Sequence, residues 1–243
     1  MSDMSVSNTG AMLDVDMVYY INLDRRIDRN IHMSNQFKQA GISMNQVVRF
    51  PAIDGTRYCF TNDELYMFKK VDYKNNSFAN KIMANQLSHY NIFIDMLKNN
   101  YNKVLILQDD VMFRDNFIEH FNNVSKSLPD DSELVNIGCH EYACGKNFIA
   151  FNLQRDDDYI KIEKRQINNY ISEWNYKINP CSLSYIVTKH GAENMIQHFK
   201  TTGFLRATDI NFNNYLHNKG IFYGSRTVLC TGDPSLGTDI FNV

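Results

Sequence analysis

An α/β fold, with a mixed and mainly parallel sheet covered by helices, is predicted for this chain by three features. Short apolar runs alternate with helical periodicities along most of the 243 residues, the order that builds βαβ units. The clearest helical segment is directly followed by the clearest buried strand. That strand, within Val104-Leu-Ile-Leu-Gln-Asp-Asp-Val-Met-Phe113, ends on two adjacent carboxylates, and open α/β sheets gather ligands at the carboxyl ends of their strands.

Each element has its own signature. Residues 17–22 form an apolar run, the expected first strand. A helix should open among Arg25, Arg26 and Arg29 and run through Lys38, with Gly41 just past its last turn. Residues 47–50 are a short second strand that meets the turn Pro51-Ala-Ile-Asp-Gly55. A short helical piece is expected near residues 62–68. Over residues 79–99, Met83, Leu87, Tyr90, Ile94 and Leu97 recur at alternating spacings of four and three, the mark of a core-facing stripe. This places Asn85, Ser88 and His89 on the opposite, polar side.

The acidic strand comes next, then a helix over residues 115–124 and a strand over 134–138. An exposed strand is expected over 159–163 and another strand over 184–187. Ala192, Met195, Ile196 and Phe199 line the following helix. Asp209 is placed to cap a helix that Gly220 stops, and short strands follow near Phe222 and Val228.

Composition narrows the function classes. Apolar residues make up 44% and aromatics 13%, enough for a sizeable core. A net charge of −2 with scattered basic residues gives no footprint for nucleic acid. Cys59, Cys139, Cys144, Cys181 and Cys230 show no zinc-type pairing, and their odd number argues against a disulfide framework. No run reaches the ~20 apolar residues of a membrane span, and the start has no basic-then-apolar leader. A cytoplasmic protein is expected: residues 1–16 as a flexible lead-in, residues 17–243 as a single domain.

Asp109 and Asp110 are the sharpest chemical feature. Two like charges at a strand end are costly unless a cation or a set of donors satisfies them. A divalent metal holding a phosphorylated substrate is one reading; a turn or helix cap following a strand is the other. Side chains alternate along a strand, so the two share a side only if the strand has ended.

Several segments together resemble glycosyltransferase family 25, which includes lipooligosaccharide and collagen galactosyltransferases. They are Tyr20-Ile-Asn-Leu-Asp-Arg-Arg26 with Arg29, Arg49-Phe-Pro-Ala-Ile-Asp-Gly55, Asn85-Gln-Leu-Ser-His89, Leu105-Ile-Leu-Gln-Asp-Asp-Val111, residues 184–192, Thr208-Asp209, and Thr231-Gly-Asp233 with Thr238-Asp239. The resemblance implies a GT-A fold, a UDP-sugar donor, a manganese ion and inversion at the anomeric carbon. It implies an acceptor hydroxyl on a protein, such as hydroxylysine of a collagen-like chain, or on a glycan. Where the family has Glu-Asp-Asp, this chain has Gln108-Asp109-Asp110, a weaker set for a hard cation. Where collagen-type members carry a histidine before Thr-Gly-Asp, this chain has Leu229-Cys230.

The resemblance also assigns candidate roles. Asp109 and Asp110 would hold the metal, and Gln108 would face the sugar or a metal-bound water. Asn22, Arg25 and Arg29, with Arg26, would meet the diphosphate or uridine, since guanidinium suits planar anions. Asp54 and Gly55 would approach the ribose or uridine. Ser88 and His89 would line the site, and Asp233 and Asp239 would lie near the phosphates or metal. Asp209 would be the general base, with Asp239, Asp233 and Glu141 as fallbacks. Trp174 is a sugar-stacking candidate or simply packed. Paired aspartates also serve nucleotidyltransferases and phosphohydrolases, although no phosphate loop is present. A binding module without turnover is the third reading.

Overall fold

Sheet order is set by the apolar runs, whose length and burial decide which strands sit centrally. In this computed structural model, which describes residues 10–69, 77–138, 163–174, 182–205 and 207–240, β3 (Lys103–Gln108) and β8 (Ser184–Thr188) lie in mid-sheet with almost wholly buried side chains. The eight-stranded order is β2-β1-β3-β8-β5-β9-β7-β6. It is completed by β1 (Met17–Asn22), β2 (Val47–Pro51), β5 (Leu134–Asn136), β6 (Glu163–Gln166), β7 (Ile171–Trp174) and β9 (Tyr223–Ser225). All strands but β8 and β7 point one way, so the sheet is mixed and mainly parallel, as predicted. A separate antiparallel ribbon joins β4 (Val111–Phe113) to β10 (Cys230–Gly232).

Helix α1 (Ile27–Ala40) buries Arg29, Met33 and Phe37, a spacing of four that forms one row. It ends where Gly41 adopts the left-handed conformation (φ 70°). The short α2 (Asn62–Met67) carries a capping box between Thr61 and Glu64. The covering helices are α3 (Ser77–Lys98), α4 (Phe117–Lys126), α5 (Lys189–Thr202) and α6 (Thr208–Lys219).

Three expectations need correction. Helix α3 is not amphipathic in the predicted sense. Ser88 and His89 are fully buried and Ile94 is 44% exposed, while Ile82, Ile92, Phe93 and Met96 join the core. The helix touches β1, α5 and α6 at once, so more than one of its sides faces protein. Residues 11–16 are not a loose lead-in either. Leu13 is buried, and its backbone N–H and carbonyl both bond the Gln46 side chain. Finally, the N-cap of α6 is Ala207, and Asp209 lies in the first turn instead.

Trp174 is packed rather than presented. It is buried edge-on to Phe222, and a Cβ on Gly224 would come within 2.3 Å of its indole. Cys59 and Cys230 are free thiols. The other three cysteines, Glu141 and residues 159–162 of the predicted exposed strand lie outside the described residues; Glu163 opens β6. No helix among the described residues is long and apolar enough to cross a membrane.

Candidate active site

Strand β3 ends at Gln108, so Asp109 and Asp110 escape strand alternation and converge. Arg29, at the top of the buried row of α1, reaches both: it donates to Asp109 at 2.5 Å and lies 3.6 Å from Asp110. Asn22, the last residue of β1, donates from Nδ2 to the other Asp109 oxygen at 2.7 Å. Parallel pairing of β1 with β3 brings these strand ends together. Burial raises the Asp109 pKa above the ordinary carboxylate range, and the charge of Arg29 and the donors of Asn22 and Arg29 offset it only in part. Asp110 is 7% exposed, and its Oδ1 has no hydrogen-bond partner. A buried carboxylate oxygen without a donor is unusual in a folded protein.

Around this pair lies a ring of arginines, each already engaged. Arg25 bonds Asp54 at 3.0 Å and Asp239 at 2.6 Å. Arg26 pairs with Asp28 and Asp239 and donates to the Leu236 carbonyl. Arg29 also donates to the Gly237 carbonyl at 2.6 Å. Residues 233–239 thus lie across the start of α1. Arg25 and Arg26 hold the Asp239 carboxylate below its usual pKa, against the burial that would raise it. Arg49, which sequence reasoning placed only within a motif, bonds Asn22 Oδ1 at 2.8 Å and Asp24 at 2.6 Å. Its position three residues before Ala52 in the turn motif was the available signal.

Other predicted residues sit behind this cluster. The Ser88 hydroxyl accepts from the Ile53 backbone N–H at 2.9 Å and donates to the Ala84 carbonyl. It therefore fixes the turn that carries Asp54. Gly55 is required by packing, since a Cβ there would lie 2.4 Å from the Asn80 carbonyl oxygen. His89 is enclosed between helices and sheet, with Nδ1 2.7 Å from the Tyr185 hydroxyl. Burial lowers its pKa to about 3. Gln108 donates to the Ser182 hydroxyl at 3.0 Å. Asp233 belongs to the cluster through its backbone N–H, which donates to the Asp110 carbonyl at 2.7 Å. Asp209 accepts from the Ile210 backbone N–H at 2.9 Å in the first turn of α6, and its neighbour Thr208 donates to Asn85 of α3.

Among the described residues, no group of three His, Cys, Asp or Glu side chains forms a ready-made metal cage. The donor set still fits a hard cation bound partly through substrate. The unpartnered Asp110 oxygen would supply one protein ligand, and such ions commonly take only one or two carboxylates alongside phosphate and water.

Residues 15–210 match the profile of Glycosyltransferase family 25 (LPS biosynthesis protein). The chain belongs to glycosyltransferase family 25. A family member from Aedes aegypti is 27% identical over 197 residues, covering 76% of this chain and 28% of the relative. One from Drosophila pseudoobscura pseudoobscura is 31% identical over 106 residues, covering 42% and 16%. The mimivirus protein named procollagen lysyl hydroxylase and glycosyltransferase is 28% identical over 137 residues, covering 50% and 15%. The chain therefore spans less than a third of these relatives. A crystal structure of the galactosyltransferase LgtC with donor and acceptor sugar analogs aligns at TM-score 0.37 and 13% identity, over 85% of this chain and 70% of that one. That likeness is too slight to build on. In this family 25 chain, Gln108, Asp109 and Asp110 stand together at the carboxyl end of β3.

Proposed function

We propose that this chain is an inverting hexosyltransferase that moves galactose or glucose from a UDP-sugar to an acceptor hydroxyl, with Mn2+ or Mg2+ assistance. The observation that carries the reading is the buried, unpartnered Asp110 oxygen at the carboxyl end of a central strand, in a chain of this family. Bound at Asp110 with Asp109, a divalent ion would neutralise the departing diphosphate.

The chain's own groups have separable tasks. Arg29 and Asn22 hold the Asp109 carboxylate in place. Ser88 holds the turn bearing Asp54, a candidate contact for the nucleoside. Arg25 is released to a phosphate only if Asp239 yields, because the two compete for one guanidinium. Asp209 is proposed as the base: its carboxylate takes the acceptor proton as the hydroxyl oxygen bonds to the anomeric carbon and the bond from that carbon to the phosphate oxygen breaks. Hydroxylysine of a collagen-like protein is the favoured acceptor class, supported by the name of the mimivirus relative; a glycan is the other.

Gln108 favours a second reading, a nucleotide-sugar-binding relative without turnover, because an amide replaces a carboxylate there. Calorimetry with UDP and a turnover assay separate the two. UDP should bind in an Mn2+-dependent way, and Asp110→Asn should weaken it at least about tenfold, the ~1.4 kcal/mol of a lost charged contact. Asp209→Asn should lower transfer about 10²–10⁴-fold while UDP-sugar affinity stays within a few-fold. UDP binding unchanged by EDTA removes the metal, and tight binding with no transfer in the wild-type protein favours the binding relative.

A further inference from the structure

Residues 234–240 lie across the start of α1 without entering the core: none of them is buried. The N–H groups of Ser235, Leu236, Gly237 and Ile240 all bond within residues 233–240. Among the described residues, each polar contact that ties residues 234–240 to the rest of the fold ends on an arginine. Arg26 donates to the Leu236 carbonyl at 2.8 Å and Arg29 to the Gly237 carbonyl at 2.6 Å. The two Asp239 oxygens are divided, Oδ1 accepting from Arg25 at 2.6 Å and Oδ2 from Arg26. The segment is thus held down by the same cations that a diphosphate would seek.

The arginines do not need Asp239 to stay in position. Arg25 keeps Asp54, which is itself fixed by the Thr56 N–H at 3.0 Å and hydroxyl at 2.7 Å, on the turn that Ser88 holds. Arg26 keeps Asp28 through two parallel bonds of 2.9 and 2.7 Å. Each guanidinium has a partner of its own, and Asp239 is the one they share. A carboxylate that gives one oxygen to each of two guanidiniums makes the contacts a phosphate would make there. Arg25 and Arg26 carry two positive charges against three carboxylates, so a further anion gains a place only when one of the three withdraws. Asp239 is the carboxylate whose segment the arginines themselves hold.

We propose that Asp239 is a built-in competitor of the donor: its carboxylate occupies the place of a phosphate between Arg25 and Arg26, and a diphosphate binding there lifts residues 234–240 off the start of α1. The inference rests on the UDP-sugar reading above and adds a regulation to it. The diphosphate takes the open form, so its apparent affinity is reduced by the fraction of chains in which the segment is down.

Two measurements test this. In the intact wild-type chain with Mn2+ present, saturating UDP or inorganic pyrophosphate should speed cleavage within residues 234–240 by a nonspecific protease at least about twofold, because cleavage follows the open population. Asp239→Asn should tighten binding of both ligands, read by calorimetry, about two- to fivefold, the worth of partly exposed ion pairs that need no longer be broken. Cleavage slowed or unchanged by bound UDP, or affinity that is equal or weaker in folded Asp239→Asn, overturns the competitor and leaves the transferase reading standing. Displacement by both ligands without any sugar transfer supports the competitor and removes the transferase. Failure of both ligands to bind either protein overturns both.

Discussion

Two buried acidic centres sit at opposite strand ends of the same sheet, two strands apart, and they are built differently. Glu133, just before β5, is 3% exposed and fully satisfied: one oxygen accepts from Lys219 and from Asn194 at 2.7 Å, the other from the Tyr215 hydroxyl at 2.6 Å. Asp109 and Asp110, just after β3, share one buried guanidinium, and one of their oxygens has no donor. The first centre is closed and fastens β5 to α5 and α6. The second is short of positive charge, which is costly for a folded protein unless something else supplies it. A carboxylate's surroundings, rather than its burial alone, separate a closed ion site from one short of positive charge.

Removing a cation from each centre breaks the comparison most sharply. Arg29→Met should destabilise by about 3–5 kcal/mol, because two buried carboxylates lose their shared counter-ion. Chemical denaturation of the variant at pH 7 measures this, and a loss below 1 kcal/mol would mean that Asp109 is not ionised beside it. Glu133→Gln keeps the shape and part of the hydrogen bonding. A smaller loss, about 1–3 kcal/mol, is expected by the same measurement, with no change in UDP affinity. A change in UDP affinity would join the two centres functionally and end the contrast.

His89 gives a pH-dependent test of the core that α3 builds with the sheet and α6. Its folded pKa is about 3 against an ordinary 6.5, so below pH 6.5 the unfolded state takes up a proton that the folded state refuses. Its share of stability is full above pH 6.5 and is lost on acidification toward pH 3, at up to about 1.4 kcal/mol per pH unit. His89→Gln should flatten the stability profile between pH 6 and 4; identical slopes would refute the neutral buried imidazole. The smallest effect is expected at Asp239. Its ion pairs are partly exposed, so Asp239→Asn should cost under about 1 kcal/mol. The same substitution should speed proteolysis of residues 233–239, and an unchanged cleavage rate would mean that Asp239 does not hold that segment down.

Much of this was legible in the sequence because it is local. The apolar run into Asp109 and Asp110, the glycine after α1 and the strand read over 184–187 depend on neighbours close in the chain. The face of α3 was not legible. It packs against sheet and helices together, so its apolar residues span several sides and the polar His89 ends up inside. Arg29 was read as a diphosphate or uridine contact, because its row with Met33 and Phe37 has no meaning until α1 docks beside β4. The order of residues 11–16 depends on Gln46, 33 residues from Leu13. Ser88 was noticed as polar, but its partner, the Ile53 N–H, lies 35 residues away.

Arg25, just ahead of α1, and its partner Asp239 are 214 residues apart in the chain. During translation at about 5–20 residues per second, Arg25 and Arg26 precede that partner by about 10–40 s. Their nearer partners, Asp54 and Asp28, are made much sooner. Asp239 is thus a late arrival at arginines that already have an acidic neighbour each.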